Sequence, residues 1–149
     1  MIEEQPVDRA DAPEPVIQVG LPLTSDALNT LFAAAWPNHS ERDWTPILSR
    51  SLLWVSAKQQ ERLVGFVNVA WDGDRHAFLL DTTVHPGVQR RGVGTRLVRA
   101  AAVATRAHGV EWVHMDYEPH LEAFYRGCGF APTRAGLLRL AAPGQHGAS

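Results

Sequence analysis

Val84-His85-Pro86-Gly87-Val88-Gln89-Arg90-Arg91-Gly92-Val93-Gly94-Thr95 is the stretch on which the reading of this chain turns. Before it, Ala77 to Val84 reads as a strand, broken by His85-Pro86-Gly87. After it, apolar residues recur at 93, 97, 98, 101 and 104, a helical period that Gly109 stops. A strand ends, the chain turns, and a helix opens on two glycines. Helix starts carry unpaired N–H groups and a partial positive charge, which suits them to phosphates. Glycines allow close backbone approach and nest geometry there. Arg90, Arg91 and Arg96 add charge nearby. The spacing matches neither G-x-G-x-x-G nor G-x-x-x-x-G-K-[ST].

Outward from this turn, the chain organises itself. Val16 to Val19 is a strand candidate. Thr24 or Ser25 caps a helix from Asp26 to about Trp36, stopped by Pro37, and Ser40 caps a second short helix through Arg50. Leu52–Ala57 and Leu63–Trp71 form a hairpin across Lys58–Arg62, and Asp72-Gly73-Asp74 turns into the third strand. Beyond Gly109, Val110–Met115 is a strand, Pro119 opens a helix to about Gly127, and two further strands follow Gly129-Phe130, the last at Gly136–Leu140. This is an α/β (α+β) layout with an antiparallel front half and a parallel strand-helix-strand unit behind it.

The 149 residues suit one domain, and 45% hydrophobic content fills a core without disulfides. Cys128 is the single cysteine, so no internal disulfide and no cysteine-based zinc site forms. No apolar run nears the roughly 18 residues of a membrane span, and Met1 to Gln5 shows no signal pattern. A net charge of −2 argues against nucleic acid as a partner. We expect a cytoplasmic protein, neither membrane-bound nor metal-dependent, with flexible tails at 1–15 and 141–149 around a domain over 16–140. Lys58 is the one lysine among 14 basic residues. Guanidinium suits bidentate phosphate contact, although codon bias produces the same skew.

Gln89, Gly92 and Gly94 fill the three fixed positions of [QR]-x-x-G-x-[GA], and the segment resembles the pyrophosphate loop of the GNAT superfamily of N-acetyltransferases. About 30 residues later, Phe124-Tyr125-Arg126-Gly127-Cys128-Gly129-Phe130 resembles the superfamily's aromatic-Tyr-x-x-x-Gly-Phe motif. The resemblance spans roughly Val16 to Leu140, with its specific motifs in Val84 to Phe130. It implies a mixed, mostly antiparallel sheet of six to seven strands with a splayed parallel pair and flanking helices. It also implies an acyltransferase that uses acetyl-CoA as co-substrate and passes the acetyl group directly to a primary amine of a small molecule. A protein or peptide acetyltransferase and a non-catalytic acyl-CoA-binding module are the alternatives, and a homodimer is a further expectation by analogy.

Carried over residue by residue, the resemblance places the pantetheine arm on the backbone of Thr82, Thr83 and Val84. It places the pyrophosphate on Gln89, Arg90, Arg91, Gly92, Val93, Gly94 and Thr95. Tyr125 matches the general acid that protonates the leaving thiolate. The first strand's matching face, Phe78, Leu80 and Thr82, offers no base. On the second strand, alternation groups Trp112, His114 and Asp116, where His114 is either the base or an ordinary histidine. Asp116 orients it, binds a cationic acceptor, or is solvated. Asp81 points to the opposite face unless a bulge re-aims it. Glu118 stands where many relatives carry Asn, and Cys128 reads as a packed thiol. Trp54 and Trp71 read as core. Trp36 and Trp44 flank a Pro37-Asn38-His39 turn and either wall an acceptor pocket or pack.

Overall fold

The structure, a computed structural model, describes residues 13–141. The expected tails at 1–15 and 141–149 therefore lie, but for residues 13–15 and 141, outside the described residues. The elements are β1 (Val16–Val19), α1 (Ser25–Ala35), α2 (Thr45–Arg50), β2 (Leu53–Gln59), β3 (Arg62–Trp71), β4 (His76–Val84), α3 (Val93–Ala107), β5 (Trp112–His114) and α4 (Glu122–Gly127). Single turns of 3₁₀ helix at Pro86–Val88 and Pro119–Leu121 precede α3 and α4.

The five strands lie in sequence order, antiparallel from β1 to β4, with β5 parallel to β4. The hairpin between β2 and β3 turns on Gln60 and Glu61, both left-handed at φ 49° and 64°, as a two-residue primed turn requires. α1 starts where the Thr24 hydroxyl accepts from the Ala27 N–H at 3.1 Å. α2 begins four residues later than a cap at Ser40 would place it. Asp43 takes the Thr45 N–H, and Pro46, with no N–H of its own, fits the first turn.

Each sheet face has its own apolar cluster. On one, Val93, Leu97, Val98 and Ala101 of α3 and Tyr125 of α4 pack on Val55, Ala57, Val67, Val69, Ala77 and Leu79. The helical spacing of those α3 residues is the stripe legible in the sequence. Gly65 permits this contact: a Cβ there would lie 2.8 Å from Leu97 Cδ1. On the other face, Leu28, Leu31 and Phe32 of α1 pack with Trp44 on Leu63 and Phe66.

The expected strand count of six to seven is not met. Among the described residues nothing after α4 is a strand; residues 131–140 run without regular structure. Leu137, Leu138 and Leu140 are 84%, 84% and 91% exposed, so the expected strand Gly136–Leu140 finds no partner on which to bury its apolar residues. Trp71 departs from expectation and lies on the surface, whereas Trp54 packs against the α1 cluster with its indole N–H on the Leu21 carbonyl.

Candidate active site

The site is built at the point where β4 and β5 part. The two strands pair only at His76–Trp112, Ala77–Val113 and Phe78–His114. Beyond Phe78, β4 continues to Val84 while β5 ends at His114. Thr82, Thr83 and Val84 therefore stand on a β4 edge that β5 has left.

The turn after β4 is held from within. His85 Nδ1 accepts from the Gly87 N–H at 2.9 Å, and the Gln89 amide donates to the Val84 carbonyl at 3.2 Å. Burial, with Arg62 nearby, lowers the His85 pKa, which keeps that ring nitrogen an acceptor. Arg90 and Gly92 are both left-handed, at φ 65° and 76°. Gly92 caps α3 without a side-chain bond, and the first intrahelical bond is Arg96 N–H to the Gly92 carbonyl. The amides of Val93, Gly94 and Thr95 thus open the helix without a capping side chain. Gly94 has another reason to be glycine: a Cβ would lie 3.3 Å from Phe124 of α4 and 3.6 Å from Val84. Of the three arginines expected at the turn, Arg96 is engaged elsewhere, by the Pro15 carbonyl at 3.1 Å and Glu14 at 3.7 Å.

Tyr125 is buried in an aromatic nest. It stacks on Tyr117 (5.0 Å, 21°) and meets Phe124 and Phe130 edge-on. Burial is the main influence raising its pKa; Cys128 and Asp116 add to it, and the Thr82 hydroxyl opposes it. The Thr82 Oγ is itself buried without a hydrogen-bond partner at bonding distance. The result is a phenol that stays protonated and faces the open edge of β4. Asp116, exposed, is near enough to influence Tyr125, so those two expected residues come together.

His114 makes its contacts with β4 instead. It is exposed, its Nε2 lies 2.7 Å from His76 Nδ1, and its ring stacks on Phe78 (4.9 Å, 21°). Glu118 pairs with His120 at 3.4 Å on the surface. Among the described residues no group of three or more His, Cys, Asp or Glu is arranged to hold a metal ion.

The residue that sequence alternation set aside is Asp81. Between Phe66–Thr83 and Asn68–Leu80 the β3–β4 register slips by one, so β4 carries an extra residue. Asp81 is left-handed at φ 58° in that bulge. It is half-buried, and desolvation raises its pKa while Arg42 opposes the shift. Arg42 comes from the loop between α1 and α2, and buried Asn29 fixes it there: the Asn29 amide accepts from the Arg42 N–H (3.0 Å) and donates to its carbonyl (2.8 Å). The guanidinium also sits 4.8 Å over the Trp44 ring. The only sequence signal for the re-aiming is that aspartate tolerates a left-handed backbone better than most residues. Trp44 is fully buried and so walls no pocket. Trp36 is exposed, with its indole N–H on Thr83 Oγ1 at 3.1 Å.

The sequence model of the acetyltransferase (GNAT) family matches residues 22–130. The chain belongs to that family. Both motifs and the whole β4–β5 gap lie inside the matched span, and the strandless segment 131–140 lies beyond it. The mycothiol acetyltransferase of Mycobacterium avium (strain 104) is 34% identical over 80 residues, 54% of this chain and 25% of that protein. The chloroplastic serotonin N-acetyltransferase 2 of Oryza sativa subsp. japonica is 31% identical over 114 residues, 73% of this chain and 57% of that protein. The chain thus spans between a quarter and three-fifths of these relatives' length. A GNAT-family acetyltransferase of Streptococcus pneumoniae TIGR4 shares the fold, with a TM-score of 0.73 and 22% identity over 85% of this chain and 98% of that one. No helix among the described residues is long and apolar enough to cross a membrane.

Proposed function

We propose that the protein is an acetyl-CoA-dependent N-acetyltransferase acting on a primary amine of a small molecule. The observation that carries this reading is the protonated, buried Tyr125 beside the open edge of β4, one short turn before an uncapped helix start. Acetyl-CoA fits as substrate. The left-handed Arg90 and Gly92 and the free amides of Val93, Gly94 and Thr95 suit the pyrophosphate, and Gln89 holds the turn to Val84. Arg90 and Arg91 add charge at its entrance. Backbone groups of Thr82, Thr83 and Val84 suit the pantetheine arm, which would lie along the strand like an added one.

In this reading the amine nitrogen attacks the thioester carbonyl carbon. The carbon–sulfur bond breaks, and the Tyr125 phenol gives its proton to the departing thiolate. Asp116 disfavours the phenolate and so keeps that proton in place. We place the base that takes the amine's proton at Asp81. It lies in the gap with a raised pKa, whereas His114 is exposed and already shares a hydrogen bond with His76. His114 remains in the site as a wall beside Phe78. The names of the two relatives, mycothiol and serotonin acetyltransferase, refer to small molecules, which supports such an acceptor over a protein.

The test is Tyr125→Phe in a thiol-release assay over a panel of amines. Turnover should fall by about 10²–10⁴ while acetyl-CoA affinity holds. Equal turnover of variant and wild type would remove Tyr125 from the chemistry. A cytoplasmic setting and a homodimer belong to the same proposal. The dimer rests on two complementary features of one chain: the outer edge of β5, unpaired, and the exposed leucines of 131–140. Reciprocal donation between two copies would cover both under twofold symmetry.

A further inference from the structure

The sheet face above the gap is unusually apolar for a surface. The pairs Ala70–Phe78, Asn68–Leu80 and Phe66–Thr83 put Phe78, Leu80 and Thr83 on the same face as Phe66, which α1 covers. The cover stops short of β5. Phe78 and Leu80 are 40% and 39% exposed, and Trp112 on β5 is 57% exposed. His114 stacks on Phe78, which puts the β5 face level with that of β4. At the other end stands the Trp36 indole, 53% exposed and fixed to Thr83. On a solvated antiparallel face these positions are ordinarily polar. Here they form a continuous strip that runs to Asp81.

From this strip we infer that the acceptor is an aromatic monoamine, its ring lying on Phe78, Leu80 and His114 and its amino group at Asp81. The inference rests on the acetyltransferase reading above and names its acceptor class. Flat aromatic side chains at stacking geometry favour a flat partner. The charge pattern favours a single ammonium. Among the residues of this strip (His76, Phe78, Leu80, Asp81 and Thr83 on β4, Trp112 and His114 on β5), Asp81 is the one carboxylate; Asp116, the next position of the Trp112–His114 alternation, lies past the end of β5 and close enough to act on Tyr125 in the α3 and α4 cluster. Arg42 faces it from the loop and repels a second positive charge. A polyamine or another polycation meets no further carboxylate along the strip. The strip ends on the proposed base, so the ring that occupies it brings its nitrogen to the reacting position.

The experiment compares 2-phenylethylamine, n-butylamine and spermidine as acceptors for the full chain with acetyl-CoA. The expected result is a kcat/KM for 2-phenylethylamine at least about tenfold above the other two. Phe78→Ala, or Leu80→Ala where the first variant folds poorly, should shrink that preference to near unity. Saturation-transfer NMR on the CoA complex reads binding apart from chemistry. Where no amine is turned over, selective binding of 2-phenylethylamine over n-butylamine, lost in Phe78→Ala, upholds the aromatic site while the catalytic reading alone fails. Three results overturn the inference: spermidine or n-butylamine equal to or better than 2-phenylethylamine, a preference that survives both substitutions, or no binding of the aromatic amine.

Discussion

Gly92→Ala separates backbone strain from ligand contact, because the fold offers a matched control. Gly92 lies at φ +76° with nothing within 4 Å of where a Cβ would stand. The substitution therefore clashes with no protein atom, and its stability cost is that of a left-handed alanine, about 1–2 kcal/mol. In a chain of this size that lowers Tm by about 3–8 °C. Gly20 has nearly the same backbone, φ +72°, and the same empty surroundings, but follows β1 at the opposite edge of the sheet. Gly20→Ala should cost the same few degrees. Only the substitution at Gly92 puts a methyl group at the uncapped start of α3, where the pyrophosphate is proposed to sit. The dissociation constant of acetyl-CoA, measured by titration calorimetry without any acceptor, should rise at least about tenfold in Gly92→Ala, which is about 1.4 kcal/mol, and stay at the wild-type value in Gly20→Ala. Equal Tm losses with unchanged affinity in both variants would refute the phosphate role of the turn.

Asp81→Asn should lower turnover by about 10²–10⁴ and, unlike most substitutions of a half-buried charge, stabilise the protein at neutral pH. The sign follows from the raised pKa: the folded state holds the proton more tightly than the unfolded chain, so stability falls as pH rises through that interval. Asparagine removes this loss, and its advantage should vanish below the unfolded-state pKa of about 3.9, as Tm against pH from 3 to 8 will show. Leu138→Arg should convert a dimer to a monomer in light scattering behind size exclusion without changing Tm by more than about 2 °C, since the side chain is 84% exposed within one chain. A wild-type monomer rules out the reciprocal arm.

The elements were legible where a period was strong and a partner lay close. The α3 stripe, the β2–β3 hairpin and the glycine turn follow from spacing and turn chemistry alone, and the structure places them within a residue or two of expectation. The α2 start was obscured because Ser40 and Asp43 are both capping residues and only tertiary packing, through Asn29 and Trp44, selects between them. Trp36 and Trp44 look alike in sequence, yet one is a fixed surface ring and the other fills the α1 face. The segment Gly136–Leu140 is rich in leucine, but apolar content does not say that a neighbouring edge lies within reach.

Strict alternation along β4 fails at one place, the bulge at Asp81 that the sequence left open, and that bulge re-aims the residues after it. Without the bulge, alternation from Phe78 and Leu80 would carry Thr82 to the α1 face and Thr83 to the α3 face. The extra residue reverses both. Thr83 turns to the α1 face, where it accepts the Trp36 indole N–H, and Thr82 turns to the α3 and α4 face, where it meets Tyr125. Asp81 is left near Arg42 of the loop between α1 and α2. In the proposed reading, one inserted residue assigns acid contact, acceptor wall and base to their separate sides of the same strand. A deletion at 81 should remove all three together while sparing the α3 stripe, a coupling that period-2 reasoning cannot represent because it assumes the period never slips.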